Sequence, residues 1–282
     1  MSKVIELFGN SKTKPDVNWL DIVANQPCPY LQKRCIKIRK SQPEISIGTC
    51  SVIYGKKAIP IIICPHRMLE RKQVFIDCLH LLTTHQPGNE LHIISEVAIP
   101  GGNVDYFLIS VNGSKVKDFV GIELQTLDTT GTVWPERQRL LEELGVPVDA
   151  PKSKDSKSFG MNWKMTAKTI LVQLHHKIET FENINKKLVL VIQDCFLHYI
   201  QREFNFSHVS HQAQLGDSLH IHTYTMELQI NQSFKLALDS RLSTDANGIA
   251  RCLDLQAQAN IELEQIIQTL EARISDNTLL SF

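Results

Sequence analysis

The 282-residue sequence lacks several features by which whole classes of protein are identified. It has no run of ~18 apolar residues, so a transmembrane helix is not expected. Residues 1–10 contain no apolar run with a small-residue cleavage site, which argues against a secretory signal. No Gly-rich phosphate loop or Walker motif is present, so ATP-driven translocation is not indicated. We therefore expect a cytoplasmic protein.

The sequence also lacks a net charge, because 30 basic residues balance 30 acidic ones. Neutrality removes any overall argument for a polyanionic partner, but phosphate binding depends on local clusters of charge. One cluster comprises Lys33, Arg34, Lys37, Arg39 and Lys40. A second, rich in lysine, covers residues 151–168. Clusters of this kind are usually solvated surface, so they permit nucleic-acid binding without establishing it.

Four of the seven cysteines are crowded into the first quarter of the chain, at Cys28, Cys35, Cys50 and Cys64. Without an export signal, disulfides are not expected, and clustered thiols indicate a metal site. Four thiolates suit tetrahedral zinc or iron. However, no CxxC pair anchors the cluster, and cysteine is often buried as a small hydrophobe. Spacing alone leaves a metal site and an ordinary core equally open.

After residue 65 the hydrophobic pattern alternates between helical and strand periods, which predicts an α/β protein with a mixed sheet. The predicted helices are Arg67–Gln86, Pro135–Leu144, Met161–Phe181, Phe196–Glu203 and Ile249–Ile274. The predicted strands are His92–Ile99, Val104–Val111, Phe119–Gln125, Lys187–Gln193 and Leu219–Leu228. Residues 1–65 read as short strand-like pieces broken by prolines, so we expect two parts, residues 1–66 and residues 67–282.

Two neighbouring predicted strands carry polar side chains in otherwise apolar sequence. Alternation along the later strand puts Glu123 and Gln125 on the face opposite to three apolar residues. Asp105 lies on the strand before it, across a turn at Asn112-Gly113 that is typical of a hairpin. A carboxylate in such a strand is costly unless something pairs with it. A Mg²⁺ ion shared by Asp105 and Glu123 would supply that partner.

This arrangement is typical of a site for metal-dependent phosphodiester hydrolysis. The metal would lower the pKa of a bound water and neutralise charge on the phosphate, and Gln125 would help to hold the attacking water. Gly101 and Gly102, just before Asp105, would let a polymer backbone come close. The alternative is that Asp105 and Glu123 are surface residues of a half-exposed strand pair.

Two stretches of the sequence resemble the NotI-type restriction endonucleases. GGNVDYFLIS…VGIELQTLDTTGTVWPERQ looks like the core of that family, a branch of the PD-(D/E)XK nucleases in which Gln occupies the usual Lys position. CPYLQKRC…KIRKSQPEISIGTC…IIICPHR is similar to its cysteine-ligated metal motif. Together the stretches cover roughly residues 28–138, and a four-cysteine segment upstream of this active-site pattern is an uncommon pairing.

The resemblance implies a PD-(D/E)XK nuclease core, a mixed central sheet flanked by helices, with an N-terminal metal-binding segment that contributes four cysteines. It implies a homodimeric type II enzyme that cuts double-stranded DNA at a short G+C-rich palindrome. It also implies Mg²⁺ held by Asp105 and Glu123, with the carbonyl of Leu124 as a further candidate ligand. Gln125 would stand in the Lys position, so the metal would activate water largely by itself.

An acid upstream of Asp105 often completes such sites. Glu96 on the preceding strand is the expected residue, and Glu90 is the second choice. The resemblance implies iron in the cysteine cluster, whereas thiolate chemistry alone fits iron or zinc. A site closed by four thiolates would be structural and would anchor a basic stretch that faces DNA.

The expected DNA-binding residues are Arg34, Lys37, Arg39 and Lys40. Arginine paired with guanine is the commonest specific contact in the major groove, which suits a G+C-rich site.

A cognate methyltransferase is an expected partner, and the helix Ile249–Ile274 either forms the dimer interface or packs on its own domain. Two rivals stay open, a structure-specific repair or junction nuclease and a catalytically silent, metal-stabilised DNA-binding protein. The paired histidines at 175–176 and at 220 and 222 are interpreted as core or surface residues.

Overall fold

A computed structural model describes residues 1–148 and 159–254, together with residues 267, 268 and 272. The strands are β1 (Val4–Leu7), β2 (Asn10–Ser11), β3 (Pro27–Cys28), β4 (Lys33–Arg34), β5 (Ile38–Arg39), β6 (Gln42–Ser46), β7 (Thr49–Tyr54), β8 (Ile59–Ile62), β9 (Glu90–Ile99), β10 (Gly102–Asn112), β11 (Lys115–Leu124), β12 (Thr129–Thr130), β13 (Gly160–Met161), β14 (Lys187–Gln193), β15 (Leu219–Leu228) and β16 (Phe234–Thr244). The α-helices are α1 (Trp19–Asn25), α2 (Gln73–Ile76), α3 (Trp134–Glu143), α4 (Trp163–Asn183), α5 (Asp194–Glu203) and α6 (Ala246–Cys252), and two 3-10 helices span Pro65–Lys72 and Leu79–Leu81. The predicted mixed α/β architecture is confirmed.

A six-stranded mixed sheet with the order β16-β15-β14-β11-β10-β9 forms the centre of the molecule. β14 runs parallel to both β11 and β15, whereas the outer pairings are antiparallel. Every residue of β14 is buried, because it is a central strand with packed layers on both faces. Its continuous apolar sequence predicted this position.

Alternate residues of the central strands pack into two separate apolar clusters, one on each face of the sheet. On one face, Phe107 and Leu188 pack with Phe181 of α4. On the other face, Leu108 and Val189 pack with residues of the 65–82 segment. Helical layers therefore cover both sides of the strands that carry the candidate acids.

A second sheet, with the order β2-β1-β7-β8, is formed by the N-terminal residues. Two short ribbons, β3-β4 and β5-β6, carry the segment between α1 and β7. The strand-like character predicted for residues 1–65 is confirmed, although α1 was not predicted; the Asn18 side chain caps it by accepting a bond from the Asp21 N–H at 3.2 Å. The division at residue 66 stays a prediction.

The predicted helix Arg67–Gln86 is wrong, since a 3-10 helix, α2 and a second 3-10 helix occupy most of this segment. The chain bends at Arg71 and Lys72, whose φ angles of 52° and 56° lie in the left-handed region. The buried Arg67 guanidinium holds the bend by pairing with Glu6 at 2.9 Å and with Glu70 at 3.1 Å. Helical spacing of apolar residues was present, but this buried charge network overrides it.

The remaining predicted elements agree with the structure to within a few residues, apart from the C-terminal helix and the unpredicted strand β16. Asp245 caps α6 by accepting a bond from the Gly248 N–H at 2.7 Å, and α6 ends at Cys252. Most of the predicted helix Ile249–Ile274 lies outside the described residues. Among the described helices, none has both the length and the apolar character needed to cross a membrane.

Candidate active site

The two predicted acids face each other at the ends of β10 and β11. The last paired residues of these strands are Tyr106 and Ile122, and Asp105 and Glu123 are the next pair in the same register. The Leu124 N–H donates to Asp105 Oδ2 at 2.8 Å, which fixes that carboxylate. Both acids line one cleft of about 380 Å³ beside α4. The structure therefore brings together the two carboxylates that strand alternation predicted.

A lysine from α4 completes this cleft, and the sequence analysis missed it. Lys177 Nζ donates to Glu123 Oε1 at 2.6 Å, and the side chains are only 8% and 7% exposed. Lys177 falls within the buried stripe of α4 between Leu174 and Phe181. A charged residue at a buried position of an amphipathic helix was the signal that could have found it.

Burial dominates the electrostatics of the acid pair. It raises the pKa of Glu123 to about 7; the bond from Lys177 opposes this rise and the charge of Asp105 adds to it. Burial also raises the pKa of Asp105, and the Leu124 N–H bond opposes that rise. Glu123 therefore exchanges its proton near neutral pH, where the carboxylate form is available to a cation.

Glu96, the expected upstream acid, lies across from Asp105 in the register of β9 and β10. It is exposed, and its φ of 57° is unusual for a residue within a strand. Burial is the main cause of the raised pKa values of Asp105 and Glu123, and the charge of Glu96 adds to the rise in both. Glu90, the second choice, lies across from Val111 toward the other end of the same strands. Of the two acids, only Glu96 is close to the carboxylate pair.

Gln125 follows β11 and lines the same cleft. Its backbone N–H donates to the Val191 carbonyl at 3.0 Å, and its side-chain amide donates to the Thr126 carbonyl at 2.6 Å. These two bonds fix a neutral side chain at the position where the resemblance expects a departure from lysine.

The glycine pair before Asp105 has a packing role that was not predicted. Gly101 has a φ of +96°, and a Cβ there would lie 2.4 Å from the His176 carbonyl oxygen. A Cβ on Gly102 would lie 3.3 Å from Lys177 Cε. The glycines therefore admit α4 to the β9–β10 turn. Both also line the cleft, and the expectation that they let a polymer backbone come close stays a prediction.

The four N-terminal cysteines line one small cavity of about 10 Å³. Cys28, Cys50 and Cys64 are buried, and Cys35 is partly exposed. Burial raises the pKa of Cys50 and of Cys64; in Cys64 the Lys37 ammonium opposes this rise. The predicted cluster thus converges on one cavity, and the volume of this cavity is about that of one water-sized sphere.

The donor types at both places fit the metals that the resemblance implies. Carboxylate and carbonyl oxygens at the acid cleft suit Mg²⁺, and four thiols suit iron or zinc. Within residues 1–148 and 159–254, however, no three His, Cys, Asp or Glu side chains are already arranged to hold a metal ion. At the cleft, Glu123 Oε1 already accepts a bond from Lys177, so a metal ion would have to share this carboxylate with the ammonium or displace it.

The expected DNA-binding residues have internal contacts with one exception. Arg34 donates to the Glu44 carbonyl, and Lys37 donates to the Ile63 carbonyl at 3.1 Å. The Arg39 guanidinium lies 4.3 Å from the centre of the Trp134 ring. The exception is Lys40, whose side chain is exposed. Several of these residues therefore stabilise the cysteine segment as well as adding positive charge.

The paired histidines fit the core and surface interpretation. His220 and His222 are buried on β15, and burial lowers their pKa values to about 4 and about 3, so both are neutral at neutral pH. The Cys78 thiol lies 3.8 Å from His222 Nδ1. His176 is exposed on α4, with His175 beside it.

Comparison with protein families identifies the class of this chain as a restriction endonuclease. The family model described as "Restriction endonuclease NotI" matches residues 22–220, which is more than half of the chain. The chain therefore belongs to the NotI restriction endonuclease family and is a type II site-specific deoxyribonuclease. The matched range includes the acid cleft and all four N-terminal cysteines. No match was found among curated proteins or among solved structures.

Proposed function

We propose that the protein is a Mg²⁺-dependent nuclease of the PD-(D/E)XK type that cuts both strands of DNA at a short G+C-rich palindrome. The observation that carries this proposal is the facing carboxylate pair, Asp105 and Glu123, in one open cleft. Membership of a restriction endonuclease family supports DNA as the substrate. The mixed sheet flanked by helices agrees with the core that the resemblance implies.

Asp105 and Glu123 are proposed to hold the metal, with the Leu124 carbonyl as a further ligand. Mg²⁺ bound there would lower the pKa of a coordinated water and neutralise charge on the phosphate. The Leu124 N–H keeps Asp105 oriented toward the cleft. Gln125 is proposed to orient the attacking water, and Glu96 to act as the third acid.

Cys28, Cys35, Cys50 and Cys64 are proposed to bind one iron or zinc ion with a structural role. Their convergence on one small cavity supports this assignment, since a site with four thiolates would keep no open position for substrate. The ion would stabilise the segment that carries the basic residues, because ligation energy in such small modules is folding energy.

Arg34, Lys37, Arg39 and Lys40 are proposed to contribute to the DNA-binding surface, with the exposed Lys40 and Arg34 the most accessible. Cutting both strands of a palindrome needs two active sites, so we propose a C2 homodimer. A methyltransferase of the same specificity is proposed as the partner that protects host DNA.

The test is digestion of plasmid and G+C-rich genomic DNA in Mg²⁺, followed by sequencing of the ends. We expect discrete fragments that share one palindrome at their ends. The Glu123→Ala variant should yield none, whereas the matched Glu90→Ala variant on exposed β9 should cut normally. Fragments that persist with Glu123→Ala would contradict the proposal.

The two rivals give different results in the same experiment. A repair or junction nuclease would prefer branched or mismatched DNA over linear duplex. A silent binding protein would retain DNA with a steep salt dependence and leave it intact in Mg²⁺. Sedimentation of a strict monomer, with and without DNA, would contradict the dimer.

A further inference from the structure

The cleft contains an ion pair that the proposed chemistry does not yet use. Lys177 Nζ lies 2.6 Å from Glu123 Oε1, which is an oxygen that a metal ion would need. A buried ion pair is commonly no more stabilising than two apolar side chains of similar size. Stability alone therefore gives a weak reason for a lysine in the buried stripe of α4.

The surrounding backbone is shaped to bring this lysine to the cleft. Gly101 and Gly102 let the turn between β9 and β10 lie directly against α4, because a Cβ on Gly101 would strike the His176 carbonyl. Thr180 Oγ1 donates to the Pro100 carbonyl at 2.9 Å and fixes the same contact one turn further along α4. The lysine is thus held by its helix over the ends of β10 and β11.

The described lining of the cleft carries more acidic than basic side chains. Asp105 and Glu123 line the cleft, and the charge of Glu96 acts on both. Gln125, at the strand position, is neutral. Among the described residues that line the cleft, Lys177 is the only cationic one. A phosphodiester brings further negative charge into this acidic surrounding.

We propose that Lys177 supplies from α4 the cation that strand position 125 lacks, an inference that rests on the proposed function. In the metal-free protein its ammonium holds the Glu123 carboxylate. When that carboxylate binds a metal, the ammonium turns to a non-bridging oxygen of the scissile phosphate. Lys177 is then a catalytic residue, since it contacts the reacting group.

The reaction it assists is a hydrolysis with no redox change. The water oxygen forms a bond to phosphorus, and the bond from phosphorus to one ester oxygen breaks. The attacking water loses one proton to solvent, and the leaving oxygen takes one up. Lys177 exchanges no proton in this step and stabilises the negative charge that grows on the phosphate oxygens, because α4 already holds its ammonium at the cleft.

The experiment compares Lys177→Met, Lys177→Arg and the double variant Gln125→Lys/Lys177→Met with the wild type. Lys115→Met is the matched control, because Lys115 is exposed at the other end of β11, opposite Asn112. Plasmid cleavage is measured at saturating Mg²⁺ and pH 9, and circular dichroism checks folding. We expect Lys177→Met to lower the maximal rate roughly 100-fold, as loss of one preorganised donor does elsewhere. Lys177→Arg and the double variant should recover part of the rate, and Lys115→Met should cut normally.

A calorimetric titration with Mg²⁺ alone provides a readout independent of cleavage. Removing a competing cation should make Lys177→Met bind Mg²⁺ several-fold more tightly at pH 9, although its rate is lower. A maximal rate within threefold of wild type, or a rate loss explained by weaker Mg²⁺ binding, would overturn the inference. If Lys177→Met does not fold, the folded double variant decides: recovered cleavage supports the inference and absent cleavage overturns it.

Failure of the proposed function would give a different experimental result from failure of the inference about Lys177. If wild-type protein does not cut DNA in Mg²⁺, the function is wrong. The calorimetric comparison of wild type, Lys177→Met and Lys115→Met then still shows whether Lys177 competes with a cation for Glu123.

Discussion

The acid cleft and the cysteine cavity both bury ionisable groups, but they treat them in opposite ways. The cleft measures about 380 Å³, and its most buried acid has a cation 2.6 Å away. The cysteine cavity measures about 10 Å³, and burial keeps the thiols of Cys50 and Cys64 protonated by raising their pKa values. The difference teaches that the cleft pairs a buried acid with a counter-charge in a space large enough for several water molecules, whereas the cysteine cavity holds buried, neutral thiols around a space about the size of one.

The largest expected effect comes from removing one acid of the open site. Asp105→Asn should lower the cleavage rate by about 1000-fold or more, because a ligand of the proposed metal is lost while the Leu124 N–H bond retains an acceptor. The melting temperature should hardly change. Kinetic assays and thermal scans on one preparation measure both quantities, and an active Asp105→Asn protein would break the comparison.

At the cysteine cavity we expect a large effect of substitution on stability, where Asp105→Asn has a large effect on the cleavage rate. Cys50→Ala should remove the bound metal and lower the melting temperature by about 10 °C, since ligation energy is folding energy. Cys252→Ala is the matched control, because Cys252 is equally buried but lies elsewhere. It should keep the metal and lose only a few degrees. Metal analysis that finds no iron or zinc in wild type would refute the metal site.

The pH dependence sharpens the comparison further. Glu123 binds a cation only when ionised, and burial raises its pKa to about 7. The cleavage rate at limiting Mg²⁺ should therefore fall about tenfold per pH unit below that value. For stability the sign is opposite, because a carboxyl with a raised folded-state pKa stabilises the fold at low pH and loses this contribution as pH rises through about 7. Rates that stay flat from pH 8 to pH 5 would exclude Glu123 as the titrating group.

The smallest effect is expected at the rim of the cleft. Glu96→Gln should reduce cleavage by about tenfold, since Glu96 is exposed and acts on the acid pair through its charge. Glu90→Gln, on the same strand but opposite Val111, should leave the rate unchanged. Equal losses in the two variants, measured side by side, would remove the distinction between these acids.

Local pattern predicted much of the sheet and the acid pair. Period-two alternation gave the common face of Glu123 and Gln125, and the apolar run of β14 gave a central strand. These features depend on residues that are neighbours in the chain. The convergence of the four cysteines was expected from the resemblance, and the spacing of the cysteines alone did not decide it.

Long-range contacts account for what the sequence did not reveal. Lys177 meets Glu123 across 54 residues, and the contact exists only because α4 lies against the glycine turn. The kinked 65–72 segment depends on the pairing of Arg67 with Glu6, 61 residues earlier. β16 was missed although its sequence carries the strand signal, since Leu236, Leu238 and Leu242 alternate with polar residues such as Asp239.

The buried guanidinium of Arg67 has a mechanical consequence for the whole chain. It pairs with Glu6 on β1 and with Glu70 in the following turn, and it donates to the Phe234 carbonyl of β16 at 2.9 Å. Pulling the N-terminal sheet away from that edge of the central sheet would leave an uncompensated charge in the interior. One guanidinium thus joins the N-terminal sheet to the outermost strand of the central sheet, so separating the two would break the pairing of a buried charge.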